Sequence, residues 1–380
     1  MNPVANARPR PPRRTLAALV GSVVLALAAL VAAGGGTSAA ADTGDDVHVE
    51  KTTTQTGTSG SSWQSFLDLM LVPSMPTSYQ PADESPGADG PRACPPSRCR
   101  DFRVPVPSDV RVTSNMVRVL FPTGYQAKKN RKKRYPVVYL FNGARSPYIR
   151  WSVGTELTAV TKPLKAIFVM PEGGIGDEAG MFSDWKDGSW QWETFHTEVL
   201  TRWVDRKFRT TGKRAAVGAS MGGLGALIYP ARHPGLYQAA FTLSGAVDTN
   251  LMVANVLPPE IAKAIGVSPP NLLRVWGNPV LERATWDAHN PVSLAPRLKG
   301  VELFVAAGTG SMSTASETTD PLHTGYTEQL MWTGHRSFLG ALTRAGVPYS
   351  AWIRQGGVHN WPWFDAPLRW GLPKVVAALR

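Results

Sequence analysis

Cysteine is almost absent from this chain: of 380 residues only Cys94 and Cys99 carry a thiol, with Pro95-Pro96-Ser97-Arg98 between them. Outside the cytoplasm that pair can close one small local loop and nothing larger. Four cysteine and histidine ligands at zinc spacing are missing, so a structural metal is not expected. No internal repeat runs along the chain. Acidic residues are in short supply as well, 28 against 40 lysines and arginines, which leaves a formal charge of +12. Such an excess favours anionic surroundings, but no aromatic stacking pattern accompanies it, which argues against nucleic acid as a partner.

What is present begins with Arg8, Arg10, Arg13 and Arg14, an uncharged apolar run from Leu16 to Ala33, and small residues through Ala39-Ala40-Ala41. This is the layout of an export signal, expected over 1–41, with an uncleaved anchor as the alternative. Removal of that piece lowers the formal charge from +12 to +8. Residues 42–99 are rich in Ser, Thr, Gly and Pro and hold one apolar island, Trp63 to Val72; they read as a flexible tether. Positive charge concentrates at Lys128, Lys129, Arg131, Lys132, Lys133 and Arg134, a solvated loop first and an anionic cell-envelope contact second.

From residue 100 to 380 the texture is that of one folded domain. Strands are expected at Met116–Phe121, Val137–Phe141, Lys165–Met170, Arg214–Gly218, Ala239–Leu243, Glu302–Ala306 and Tyr349–Arg354. Several are apolar throughout, as strands covered on both faces are. Between them, Glu193 to Phe208 places Phe195, Val199, Leu200, Trp203, Val204 and Phe208 on one helical face, a core face. Strands alternating with helices predict the α/β class, with a mostly parallel central sheet and helices on both faces.

Gly218-Ala219-Ser220-Met221-Gly222 has the G-x-S-x-G form, preceded by a strand pattern and followed by a helical one. That context puts a serine hydroxyl on a sharp strand-to-helix turn, whereas the plain alternative is a tight turn without chemistry. A serine nucleophile needs a base, and the base an orienting carboxylate. Of the histidines after Ser220 (His233, His289, His323, His335 and His359), His359 follows a strand across Gln355-Gly356-Gly357-Val358, at the end of the sheet where reacting groups gather. The acid is expected after the strand ending near Ala306, where Glu317 is the choice and Asp320 the neighbour; Asp248, after the preceding strand, is a third option. Oxyanion donors are expected at the backbone N–H groups of Met221 and of Ala144, in Asn142-Gly143-Ala144-Arg145.

These residues resemble the secreted mycolyltransferases of the antigen 85 type, within the broader esterase D group of α/β-hydrolases. The likeness runs from about Arg100 to near the C-terminus, through Tyr139 to Arg145, Phe182-Ser183-Asp184-Trp185, Trp192-Glu193-Thr194-Phe195, Gly218 to Gly222 and His359-Asn360-Trp361. The resemblance implies Ser220 as nucleophile, His359 as base, Ala144 and Met221 as oxyanion donors, and Asn142, Arg145 and Trp361 as substrate-site residues. It implies acyl transfer through an acyl-serine, from an acyl-lipid or glycolipid to a sugar or glycerol acceptor, with no cofactor. Asn142 stands where the mycobacterial enzymes have an aspartate that contacts the sugar, their internal disulfide is missing, and the acid loop is longer. A plain carboxylesterase and a non-catalytic envelope-binding relative are the rival readings.

Overall fold

A computed structural model of the chain describes residues 47–49, 94–144, 146–174, 180–253, 269–310 and 325–380. The expected export signal, most of the tether with its island at Trp63 to Val72, and Arg145, Glu317, Asp320 and His323 lie outside the described residues. The chain divides into two units, Met1–Gly44 and Asp45–Arg380, and the described residues all belong to the second.

Among the described residues nine strands form one sheet: β1 (Val47–Val49), β2 (Cys99–Arg103), β3 (Met116–Leu120), β4 (Tyr135–Phe141), β5 (Ile167–Pro171), β6 (Thr210–Ala219), β7 (Ala239–Leu243), β8 (Glu302–Gly308) and β9 (Tyr349–Arg354). Their order is β1-β9-β8-β7-β6-β4-β5-β3-β2. Strands β4 to β9 pair in parallel, while β1, β2 and β3 join at the edges through antiparallel pairs. The seven expected strands are all there. The two outermost strands were not expected. β1 falls in the segment read as a tether and gives the open edge of β9 its hydrogen-bonding partner. β2 starts at Cys99, where a disulfide to Cys94 spans 5.5 Å between Cα atoms.

Burial on both faces explains why several of the parallel strands are apolar throughout. In β4, Val137, Tyr139 and Phe141 enter the core on one face of the sheet, and Val138 and Leu140 that on the other. The first face is covered by α1 (Thr201–Lys207), which continues a helical run from Trp192 through Phe195–Leu200, and by α2 (Met221–Arg232). Phe195, Leu200 and Val204 of that run are buried against the sheet, as their spacing requires. Further along come α3 (Gly325–Arg344) and α4 (Asp365–Ala378); Leu368, Leu372 and Val375 of α4 close the second core.

His196 ties this frame together. It is fully buried between Phe182, Trp192 and Phe141, with its ring within 28° of parallel to Phe182 at 5.5 Å. Its Nε2–H donates to the Glu172 carbonyl just past β5 (2.7 Å), so Nδ1 accepts from the Tyr229 hydroxyl of α2 (2.8 Å). Burial pushes its pKa down to about 4. A histidine whose folded pKa is depressed contributes stability that is complete above about pH 6.5 and is lost as the pH falls toward the folded value. In urea titrations, the stability difference between wild type and His196→Gln should shrink by about 1.4 kcal/mol per pH unit between 6.5 and 4. A difference independent of pH would contradict the buried neutral imidazole.

Candidate active site

The turn that carries Ser220 is built by its neighbours. A Cβ on Gly218 would land on the Gly222 backbone, and one on Gly222 would land on the Phe141 carbonyl, so only glycine lets β6 double back into α2 this sharply. Ser220 itself sits at φ 55° and ψ −123°, a conformation that costs a non-glycine residue roughly 1–3 kcal/mol. Three backbone hydrogen bonds hold it there: its N–H donates to Leu243 (3.0 Å), and its carbonyl accepts from Gly223 (2.9 Å) and Ala246 (3.0 Å). The strained turn leaves the hydroxyl partly exposed at the C-terminal end of the strands.

His359, on the loop after β9, brings Nε2 to 2.9 Å from Ser220 Oγ, although the two residues are 139 positions apart in sequence. The opposite ring nitrogen, Nδ1, lies 2.8 Å from Oε2 of Glu328. A carboxylate there requires the proton on Nδ1, which leaves the Nε2 lone pair facing the serine hydroxyl. The carboxylate that meets His359 is therefore that of Glu328, in the first turn of α3, in place of the expected Glu317. Glu328 lies on the helix that follows the Ser/Thr-rich segment after β8. Asp248, the third option, is engaged elsewhere, accepting from the Asn290 side chain (3.1 Å) and the Asn250 N–H (3.1 Å).

Glu328 has no exposure to water, yet both its oxygens are used. Oε1 accepts from the Ser244 hydroxyl (2.5 Å) and from the Gly308 N–H (2.7 Å), at the ends of β7 and β8. Charge-assisted hydrogen bonds of this kind are what a buried carboxylate needs to offset its lost hydration. Ser244 adopts φ 43° to deliver its donor, a second strained serine in the site. His335 follows on the same buried side of α3, donating from Nδ1 to the Met331 carbonyl at 2.8 Å; burial lowers its proton affinity. His233 and His289 lie at the other end of α2 around Glu193, with His233 Nε2 2.7 Å from its carboxylate.

The turn after β4 packs against Ser220: the Cβ position of Gly143, next to Ala144 in sequence, lies 3.4 Å from Ser220 Cβ. Met221 opens α2, so its N–H has no acceptor within the helix. The side chains expected to line the substrate site behave differently. Asn142 is fully buried, and its Nδ2 donates to the Ser146 carbonyl and to Gly143 (3.3 Å), clamping the turn from beneath. Trp361 is buried too, edge-on to Trp151 at 5.2 Å, with its indole N–H donated to Ser146 Oγ (3.3 Å). Both brace the turn instead of facing solvent. Glu172 adds a third brace, accepting the Tyr148 N–H (3.3 Å), and burial raises its pKa. Asp184 and Thr194, from two of the quoted motifs, are also structural: the Thr194 hydroxyl and N–H both donate to the Asp184 carboxylate, at 2.5 and 3.0 Å. Among the described residues no group of histidine, cysteine and carboxylate side chains converges as a metal site would.

Comparisons with known proteins bear on the family and the fold. The Esterase family model matches residues 112–375. An esterase of Mycobacterium tuberculosis is 31% identical over 281 residues, 70% of this chain and 56% of that protein, so the chain spans little more than half the length of that relative. The diacylglycerol acyltransferase/mycolyltransferase Ag85B of Mycobacterium leprae is 29% identical over 249 residues, covering 61% of this chain and 73% of its own. Among solved structures, MPT51 of Mycobacterium tuberculosis superimposes with a TM-score of 0.57 at 23% identity, over 74% of this chain and 99% of its own. An S-formylglutathione hydrolase from Agrobacterium tumefaciens does so with 0.54 at 17% identity, over 70% and 90%. At these identities the structural likeness concerns the fold, that of α/β-hydrolases.

Replacing Glu328 by Gln keeps the shape but places an amide beside Nδ1, favouring the wrong imidazole tautomer. Turnover of a p-nitrophenyl ester should fall by about 10²- to 10⁴-fold with KM little changed. A loss of less than about threefold would remove Glu328 from the relay.

Proposed function

The chain belongs to the esterase family, and we propose that it is a secreted serine acyltransferase, moving acyl groups between lipid or sugar esters through an acyl-serine intermediate. The observation that carries the reading is the hydrogen-bonded series Ser220 Oγ, His359 and Glu328, at 2.9 and 2.8 Å. His359 takes the hydroxyl proton as Ser220 Oγ attacks the ester carbonyl. The Ala144 and Met221 N–H groups receive the oxygen as it becomes negative. When the tetrahedral centre collapses, His359 returns the proton to the departing alcohol, leaving the acyl group on Ser220. A second hydroxyl, activated by the same imidazole, then takes the acyl group and frees the serine.

The nature of that hydroxyl separates a transferase from an esterase. Transfer to a sugar or glycerol hydroxyl is supported by the similarity to a diacylglycerol acyltransferase/mycolyltransferase. Hydrolysis is supported by the similarity to an esterase. Export is supported by the arginines and apolar run at the N-terminus. In this reading the domain from 100 to 380 carries the chemistry, 1–41 is the leader, and 42–99 is the tether apart from β1 and the Cys94–Cys99 loop.

A p-nitrophenyl ester supplied with trehalose or glycerol decides the matter. The expected results are an acyl adduct on the Ser220 peptide and a sugar or glycerol ester formed in preference to free acid. An adduct with free acid alone would make the protein a carboxylesterase. No adduct, with equal turnover by Ser220→Ala, would end the acyl-serine reading.

A further inference from the structure

The parallel strands give the molecule two unlike poles. Ser220 stands past the C-terminal end of β6, and that strand's ten residues put its start roughly 30 Å away. At the far pole β5, β4 and β6 lie side by side, with Ile167 opposite Val137 and Thr210 opposite Tyr135. The segments leading into these strands are therefore neighbours, about 10 Å from first to last. They are also joined directly. Thr123 Oγ1 donates to the Lys162 carbonyl (2.8 Å), Arg209 Nε to the Lys133 carbonyl (3.2 Å), and Arg134 Nη1 to the Thr210 carbonyl (3.1 Å).

This convergence gathers charge that the sequence scatters. Lys128, Lys129, Arg131, Lys132, Lys133 and Arg134 are all exposed in the segment before β4. Lys162 and Lys165, before β5, are exposed on one side of it, and Arg206, Lys207 and Lys213 on the other. No aspartate or glutamate falls in 122–134, 161–166 or 206–214. Asp205 borders the band but is paired with Arg214, and Lys213 Nζ donates to the Arg380 carbonyl (2.7 Å). Like charges this close repel, and they lower their mutual energy when a polyanion lies across them and releases its counterions.

We propose that this pole is a docking surface for an anionic polymer bearing phosphate or carboxylate groups, holding the protein on it with the Ser220 end turned away. Among the described residues the band presents no exposed large apolar side chain that could wedge into a bilayer. The exposed large hydrophobic residues among the described ones, Leu273, Val280 and Leu281, all lie in other segments. Contact by charge alone suits a flexible chain of regularly spaced anions, which follows the band across all three segments. The proposal does not depend on the catalytic reading, because the band and the nucleophile stand at opposite ends of the sheet.

The test measures binding of the full protein to long-chain polyphosphate and to polygalacturonate between 50 and 300 mM salt, about the range over which such contacts weaken. The expected result is binding whose logarithm falls linearly with that of salt. Substituting Gln for the six cations between Lys128 and Arg134 should weaken it at least about tenfold, lower the salt slope, and leave p-nitrophenyl ester turnover unchanged. The pair Arg274→Gln and Arg283→Gln, which removes charge elsewhere, should leave affinity within about twofold. The proposal is overturned by failure of the wild type to bind either polymer at 50 mM salt (about the strength at which screening is still weak), by equal losses in both variants, or by tighter binding to phosphatidylglycerol vesicles than to the polymers.

Discussion

A carboxylate sealed from water, that of Glu328, is the interaction on which the site depends. It takes hydrogen bonds from the ends of two adjacent strands, through Ser244 and Gly308, and spends its remaining oxygen on His359. The imidazole is thereby fixed in tautomer and direction, and the Ser220 hydroxyl faces a lone pair instead of a proton. Without that partner, His359 on its glycine-rich loop would have little to hold its ring in line. The strain at Ser220 belongs to the same design: the glycines around it allow the turn, and the hydrogen bonds from α2 and β7 keep it.

The surroundings of the site are braced from below. Asn142, Trp361 and Glu172 all hold the turn after β4, each through a hydrogen bond to the 143–148 backbone or to Ser146. His196 pins the end of β5 to the helix that starts at the nucleophile. The turn that carries Ala144 and the helix that opens at Met221 therefore rest on side chains buried in the protein, which limits how far their backbone N–H groups can drift.

Much of this was legible in the sequence, for reasons that are local. Strand segments covered on both faces are apolar at nearly every position, so β4, β5, β7 and the second half of β6 stand out, and the glycines of 218–222 mark a turn no other residue can make. His359 as the partner of Ser220 was legible because a histidine in a glycine-rich loop after the last strand has few structural duties. Glu328 as the partner of His359 was not, because it lies on the buried stripe of α3, where Glu328, His335 and Leu342 recur every seven residues. An acid placed on an otherwise inward stripe was the available signal. Asn142 and Trp361, substrate-site residues by resemblance, are buried and hold the turn after β4 through their hydrogen bonds. β1 escaped notice because three residues carry no periodicity; its partner, the free edge of β9, is a fact of topology.

The central claim is that Ser220 is the attacking atom and that two backbone N–H groups await the charge it creates. A crystal structure of the protein after reaction with an alkyl fluorophosphonate tests it most directly. The account requires phosphorus bonded to Ser220 Oγ, with the phosphoryl oxygen about 2.7–3.1 Å from the N–H groups of both Ala144 and Met221. Phosphorus on another residue, or a phosphoryl oxygen turned away from both donors, would contradict it.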